Sequence, residues 1–458
     1  MSSRIPKVLS IAGFDPTSGA GVISDVKTIE ALGGYGLAVV TCIAIQDTRG
    51  VVKILPLDPQ DVAMQIDAIV NDVAVDSVKV GALPNEYVID VVADRVSKLG
   101  VPLVLDPVLA PTKGPRFLEG PGIEALRERL LPIATLVTPN VKEAEELLGK
   151  TIDSEEKLVE AARAIVEELG TKAALIKGFK CRGEVLDALY VDDGTQRIFS
   201  RKDLGFDVHG LGCVLSSAIA TYLAMGMKLV EAVEKGIEYA IYVARTSLHI
   251  GSGRPCPNHL AKLKRDSYVL NSLKSIKEAL ALLERNSDVV ANLVPEVGMN
   301  IVEAPPYPLA TSIEDCVGVE GRIHKVGTRI KPCGCIWMGV SSHVARAILE
   351  AQKLDPSIRA CANIKPFNGI EEIAKELGLE IVFVDRREEP KEIKEVEGAS
   401  IPWIVREAYR IKGAIPDVIY DRGDVGKEPM ARVFGKSAVE VAKKIVAMGK
   451  ALKARSTV

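Results

Sequence analysis

No stretch of this 458-residue sequence holds the roughly 20 consecutive apolar residues of a membrane-spanning helix. The N-terminal MSSRIPKVLSIAGFD passes straight into a strand pattern and has no signal-peptide layout. A cytoplasmic protein with no membrane partner is therefore expected. An excess of one charge sign is also missing. Lys and Arg total 58 against 61 Asp and Glu, a net charge of −3. This balance argues against binding dominated by nucleic-acid phosphates, leaving only a local basic patch open, and no nucleic-acid partner is expected. The eight cysteines include no CxxC pair. The closest two, Cys333 and Cys335, do not by themselves make a zinc site, so reduced thiols are expected. Glutamine is scarce while Glu, Lys, Val and Ile abound, a balance that fits a thermophile. Internal repeats and low-complexity tracts are absent.

What is present is a folding composition, 47% hydrophobic and 26% charged, with length for two or three domains. Over the first 250 residues short apolar runs alternate with amphipathic ones. VLSIAGFD, LAVVTCIAIQD, SVKVGAL, PLVLDPVLA, TLVTPN and AALIKGF read as strands. DVAMQIDAIVNDV, EYVIDVVADRVSKLG and SEEKLVEAARAIVEELG read as helices. This alternation predicts a mainly parallel sheet flanked by helices. EVLDALYVDDGTQRIFSRKDL is a hairpin around Asp-Gly, expected as an antiparallel edge. Gly251–Asp266 is rich in Gly, Pro and charge and reads as a boundary. A second strand and helix pattern, expected to be a smaller α/β domain, follows the amphipathic NSLKSIKEALALLERN.

In parallel α/β sheets ligands bind beyond the carboxyl ends of strands. Asp15 with the Gly19–Gly21 turn, Gln46, Asp106, Asn140, Glu143 and Lys177 all fall at such ends. Last comes DVHGLGCVLSSAIA, in which the Gly210-Leu211-Gly212 turn feeds a helix at Cys213. Free N–H groups and the helix dipole make such a turn an anion site, where a thiol should be more acidic than usual. A carboxylate set, a lysine and an anion hole are the parts of phosphoryl transfer.

IAGFDPTSGAGVISDVKT, LDPV, LVTPNVKEAEELLG, LIKG and HGLGCVLSSAIA resemble the hydroxymethylpyrimidine/phosphomethylpyrimidine kinases of thiamine synthesis, members of the ribokinase-like superfamily. The resemblance implies ATP as substrate and Mg²⁺ as cofactor. It implies that Cys213 stands where most ribokinase-like enzymes carry a catalytic Asp. Gln46, Asp25 and Gly13 are implied at the pyrimidine, and Lys177, Asn140, Glu143, Gly210 and Gly212 at the ATP phosphates. Asp106 and Glu143 are implied as metal-associated. A homodimer is the family's habit. Leu211 departs from the family's usual Thr and removes a hydroxyl near the phosphates. Gly178-Phe179-Lys180 replaces the common Gly-Gly-His.

In the second half, Ser341-Ser342 in MGVSSHVARAILEA reads as an N-cap. His343 then falls in the first helical turn, with Arg346 on the same face. DRGDVGKEPM is a Gly-containing loop whose Lys427 suits a phosphate. PEVGMNI, GRI, SSHVAR and IPDVIYDRGDVGKEPM resemble the archaeal-type thiamine-phosphate synthase domain. That domain couples hydroxymethylpyrimidine pyrophosphate to thiazole phosphate and releases pyrophosphate. Arg322 and His343 are the catalytic residues the resemblance implies. The expected division is a kinase domain over 1–256, a linker and connecting helix over 257–284, and a synthase domain over 285–458. Two alternatives stay open: a second domain that only senses thiamine phosphate, and a vitamin B6-type kinase in the first.

Overall fold

A computed structural model describes residues 4–424 and 427–456. The chain parts into two compact units, Met1–Lys262 and Leu263–Val458. Each has its own apolar clusters.

The first unit runs β1 (Lys7–Phe14), α1 (Gly21–Ala31), β2 (Tyr35–Asp47), β3 (Gly50–Pro56), α2 (Pro59–Val70), β4 (Ser77–Val80), α3 (Glu86–Val96), β5 (Leu103–Leu105), α4 (Gly120–Ala125), β6 (Leu136–Val137), α5 (Val141–Leu148), α6 (Glu155–Leu169), β7 (Ala173–Cys181), β8 (Glu184–Val191), β9 (Gln196–Lys202), α7 (Leu211–Ala224) and α8 (Leu229–Arg245). Its sheet has the order β3-β2-β1-β4-β5-β6-β7-β8-β9. The six central strands from β2 to β7 pair in parallel. Antiparallel strands close both edges. The β8–β9 hairpin lies where the sequence placed it. The β3 edge was not anticipated, because GVVKILP runs on from β2 without a strong turn signal.

Side chains alternate between the faces of a strand, and both faces here are apolar. Leu9, Ile11, Leu103, Leu105, Ala174 and Ile176 join the cluster beneath α2, α3, α5 and α6. Val8, Val104, Ala173 and Leu175 join the one beneath α7 and α8. Sheets buried on both faces read as unbroken hydrophobic runs, which is why these strands were legible. Helix starts are fixed by side-chain caps from Asp58, Asn85 and Ser154, each worth about 1 kcal/mol.

The second unit comprises α9 (Ala261–Arg285), α10 (Ser287–Val290), β10 (Ile301–Glu303), β11 (Val317–Val319), β12 (Ile323–Val326), β13 (Arg329–Pro332), β14 (Ile336–Met338), α11 (Ser342–Leu354), β15 (Ala360–Ile364), α12 (Ile370–Glu376), β16 (Ile381–Phe383), α13 (Lys391–Lys394), α14 (Ser400–Lys412), β17 (Val418–Asp421), β18 (Met430–Gly435) and α15 (Ala438–Ser456). Its sheet order is β14-β11-β10-β15-β18-β17-β16. Only β16 and β17 run in parallel; the other neighbours are antiparallel. Residues of α9 and α15 cover one face, and residues of α11 and α14 the other. The β12–β13 hairpin forms a separate ribbon.

The division between the units, after Lys262, falls inside Gly251–Asp266, the segment read as a linker or boundary. Most of Gly251–Asp266 is not a free linker, because its backbone and side chains are engaged. Leu248 and Cys256 form a bridge, the Gly253 N–H donates to Thr48 Oγ1 at 3.0 Å, and His209 N–H donates to Pro255 O at 2.9 Å. Buried His259 lies 2.7 Å from Ser24 Oγ and accepts the Tyr239 hydroxyl at its carbonyl. The helix expected as a connector, α9, is part of the second unit's core through Ile276, Ala279 and Leu283. Ser272 and Ser275 of α9 donate to buried Glu303, and Arg265 bonds Asp315 at 3.0 Å.

Independent cores predict independent folding. Fragments 1–262 and 263–458, expressed apart, should each melt cooperatively. A second fragment starting at Leu270 loses the Arg265–Asp315 bond and buried Val269. It should be about 2 to 4 kcal/mol less stable, which denaturant titration of the two versions measures.

Candidate active sites

In the first unit a cavity of about 250 Å³ opens beyond the carboxyl ends of β1, β2, β5 and β7. Gly13, Asp15, Gln46, Asp106, Asn140, Glu143, Lys177, Gly210, Gly212 and Cys213 all line it. Two glycine turns shape the floor. Gly210 is left-handed, φ 74°, and a Cβ there would stand 1.9 Å from the Gly19 carbonyl oxygen. Gly21, also left-handed, faces the Gly13 carbonyl just as closely, at 2.1 Å. Gly210 is the N-cap residue of α7 and supplies no side-chain cap. The first N–H groups of α7 are thus left for a ligand.

Lys177 Nζ lies 2.5 Å from Asp106 Oδ1, and Thr138 Oγ1 donates to the same oxygen at 3.2 Å. A Cβ on Gly212 would sit 3.1 Å from Lys177 Nζ and 3.4 Å from Asp106 Oδ2. The lysine, the carboxylate and the open helix start therefore meet at one point. Burial lowers the Lys177 pKa, but Asp106 and Glu143 more than offset it, and the net shift is upward. Glu143 is pushed up to about 7 by burial, against the pull of Lys177 and with the push of Asp106. Asn140 and Glu143 also close a capping box on α5: Asn140 Oδ1 accepts the Glu143 N–H at 3.0 Å, and Glu143 Oε2 accepts the Asn140 N–H at 2.8 Å. The residues implied for phosphate and metal thus hold their own helix start. Among the described residues no group of three or more His, Cys, Asp or Glu side chains could chelate a metal. A pair of hard carboxylates beside a lysine fits Mg²⁺, which takes few protein oxygens and completes its shell with water and phosphate.

Two expectations are corrected. Asp25 does not line this cavity. It is fully buried, and its Oδ2 accepts from Lys79 at 2.8 Å and Ser10 at 2.6 Å, its Oδ1 from Ser217 at 2.8 Å. With every oxygen occupied it anchors α1 to β4 and α7. Nor is the Cys213 thiol acidic. Burial pushes it up to about 11; Lys79 pulls down, but Asp25 and Asp106 push up. The lysine's charge is largely spent on Asp25, so the helix start does not win.

Sequence reasoning passed over three residues. His209 Nε2 sits 2.9 Å from Asp15 Oδ2. Burial raises Asp15, but hydrogen bonds from His209, Gln46 and Thr17 prevail and hold it at about 2. Lys79 is buried in a strand whose only signal was its charge among Val residues. Arg254 lines both this cavity and a neighbouring one of about 950 Å³ that shares Asn140, Glu143, Lys177, Leu211 and Gly212. Its Gly-Pro surroundings hid it; the signal was two glycines, which let the backbone approach Thr48 closely.

In the second unit a cavity of about 500 Å³ is lined by Arg322, His343, Arg386, Lys394, Lys427 and Arg432, with Glu397 and Glu428 the only carboxylates among the described residues. The cationic excess marks an anion site. Arg322 precedes β12 with a left-handed φ of 68° and donates to the Val297 carbonyl. Ser341 is also left-handed, φ 100°, and gives α11 no side-chain cap, against expectation. Two strained non-glycine residues on one cavity wall are the kind of feature that clusters at functional sites. His343 is lowered first by burial, then by Arg346, Arg322, Arg432 and Arg386. Lys427 reaches Ser400 Oγ only at 3.4 Å.

A phosphomethylpyrimidine kinase family model matches residues 15–258, and a thiamine-phosphate synthase ThiN model matches residues 275–447. This chain belongs to the bifunctional thiamine biosynthesis proteins. The bifunctional thiamine biosynthesis protein ThiDN of Methanocaldococcus jannaschii is 32% identical over 96% of this chain and 97% of its own length. A hydroxymethylpyrimidine/phosphomethylpyrimidine kinase of Staphylococcus aureus is 37% identical over 57% of this chain and 96% of its own. The ADP complex of Bacillus subtilis pyridoxal kinase superposes with a TM-score of 0.52 at 29% identity, covering 56% of this chain and 98% of that one. The kinase unit thus has the ribokinase-like fold, and the chain joins a pyrimidine kinase to a thiamine-phosphate synthase domain. No helix among the described residues is long and apolar enough to cross a membrane.

Two titrations follow. Alkylation of Cys213 by iodoacetamide should be slow at pH 7 and rise toward pH 11, while exposed Cys333 and Cys335 react readily; peptide mapping by mass spectrometry reads all three. His343 should titrate below the ordinary 6.5 in the free protein. Adding pyrophosphate should raise its midpoint by cancelling the arginine field, and proton NMR of the five histidines follows both.

Proposed function

We propose that the first unit transfers a phosphoryl group from ATP to the hydroxymethyl group of the pyrimidine, and then to the resulting monophosphate, with the residues lining its cavity. The observation that carries this reading is the meeting of Lys177, Asp106 and the uncapped start of α7 around Gly212. Lys177 and the N–H groups of Leu211 to Cys213 hold the transferring phosphoryl oxygens where charge accumulates. Gln46 and Gly13 border the pyrimidine: Gln46 offers both donor and acceptor to an aminopyrimidine edge, and Gly13 has no room for a side chain beside Cys42. Asp106 and Glu143 would hold Mg²⁺, which would supply charge neutralisation on the phosphates. Cys213 is a neutral thiol, so its sulfur accepts a hydrogen bond from the substrate hydroxyl and aims that oxygen. The hydroxyl oxygen bonds to the γ-phosphorus as the bond to ADP breaks, and the hydroxyl proton passes late to an oxygen of the transferred phosphoryl group, as a loose transition state permits. Leu211 brings no hydroxyl to the turn, so phosphate contacts from this residue come from its backbone alone.

In the second unit the pyrimidine amino group expels pyrophosphate, the thiazole nitrogen attacks the resulting cation, and thiamine phosphate forms. No strong base is needed. Arg322 meets the charge of the leaving pyrophosphate. His343, neutral in the arginine field, becomes a proton donor to a phosphate oxygen once substrate cancels that field. Two copies are proposed to associate through the first unit, where Ile43, Ile45, Val52 and Leu55 are exposed on the β2–β3 edge; light scattering tests this.

Cys213→Ala should lower kinase turnover at least a hundredfold and leave synthase turnover intact. Wild-type turnover should show no limb between pH 7 and 9 from a thiol. Arg322→Ala and His343→Ala should each lower thiamine-phosphate formation about a hundredfold or more and spare the kinase. Wild-type synthase rates in both would move the site elsewhere. Pyridoxal turned over faster than the pyrimidine alcohol would overturn the kinase assignment. A wild-type protein that binds thiamine phosphate and forms none would overturn the synthase assignment.

A further inference from the structure

The synthase mechanism above leaves two buried cations of the cavity unused, Arg386 and Arg432. Arg386 lies in the turn after β16, only 6% exposed, and lines the second unit's cavity. One terminal nitrogen reaches Glu389 Oε2 at a long 3.3 Å. Among the described residues its Nε has no hydrogen-bond partner, and neither does Glu389 Oε1. A guanidinium stays charged in proteins, and a buried donor left unpaired forfeits its solvation without return. Its neighbours differ. Arg432 is equally buried and lines the same cavity, but bonds Asp421 Oδ2 at 2.8 Å. Arg387, next in sequence, is exposed and bonds both oxygens of Asp385.

A second observation points to the same ligand. Ser341, Ser342, His343 and Val344 line this cavity at the start of α11, and that start has no side-chain cap. Arg386 is also one of the charges acting on His343, so guanidinium and helix start face a common space. A group that satisfies both must be a compact polyvalent anion with several acceptor oxygens, and a phosphate has that form.

We propose that Arg386, with the open first turn of α11, is the innermost holder of a phosphate group in the synthase cavity. The proposal rests on the synthase reading, in which one substrate carries a pyrophosphate and the other a monophosphate. The chemistry of the two is shared, and the experiment separates them.

Full-length Arg386→Met and Arg386→Lys are compared with wild type. KM is measured for each synthase substrate, together with inhibition by inorganic pyrophosphate and inorganic phosphate. Arg386→Met should raise KM for one substrate at least tenfold and weaken the matching inorganic anion equally, with the other substrate changed less than threefold. Selective loss of pyrophosphate assigns the leaving-group subsite, and selective loss of phosphate the thiazole subsite. Arg386→Lys should restore part of the loss, since it keeps the charge without the planar fork. If Arg386→Met leaves Glu389 too poorly paired to fold, the Arg386→Met/Glu389→Gln pair removes the buried charge imbalance and carries the same measurements. Unchanged constants in a folded variant would overturn the proposal and make Arg386 structural. Should wild type form no thiamine phosphate, calorimetric binding of inorganic pyrophosphate decides: a tenfold weaker constant in the variant supports the anion site while the synthase reading falls, and equal constants overturn the site.

Discussion

Both cavities depend on one constraint, a helix start whose backbone donors are left open. In each unit a residue with positive φ turns the chain into the helix, Gly210 before α7 and Ser341 before α11. Neither gives a side-chain cap, unlike the starts of α2, α3 and α6, which Asp58, Asn85 and Ser154 cap. The first N–H groups of a helix have no partner within it. Where the fold declines to cap them, they are available for phosphate oxygens, and the cations of each cavity collect around them.

Around these helix starts, burial and charge decide protonation more than the dipole does. Cys213 sits in the first turn of α7, yet burial pushes its thiol up, and Lys79, paired with Asp25, does not offset that. His343 sits in the first turn of α11 and is pushed down by burial and arginines. Both groups are thereby neutral before substrate arrives. In the proposed mechanism the neutral thiol aims a hydroxyl, and the neutral imidazole takes up a proton only once phosphate-bearing substrates are bound.

The two units divide the chemistry by fold. The parallel sheet of the kinase unit brings strand ends from distant parts of the chain to one edge, so Asp15, Asp106, Asn140 and Lys177 converge although far apart in sequence. The antiparallel sheet of the synthase unit cannot do that with strand ends alone. Its cavity draws instead on turns: Arg322 before β12, Arg386 after β16, and Lys427 before β18.

The sequence by itself determined the alternation of strands and helices, the parallel centre of the first sheet, the hairpin at its edge and the motif residues of both cavities. It could do so because two-sided burial writes continuous apolar runs and because phosphate turns need glycine at fixed places. Only the tertiary structure decided which polar residues face a ligand and which are spent inside. Asp25 and Asp106 are both buried carboxylates paired with a lysine, but the Lys79–Asp25 pair lies within the core and the Lys177–Asp106 pair beside the cavity. Gly251–Asp266 has a linker's composition, yet most of it is held by Thr48, His209 and Ser24, partners more than 40 positions away. Arg386 and Arg387 are adjacent and alike in sequence; the fold exposes one beside Asp385 and buries the other with a donor unpaired. Such differences arise from contacts between segments distant in the chain, and no local pattern encodes them.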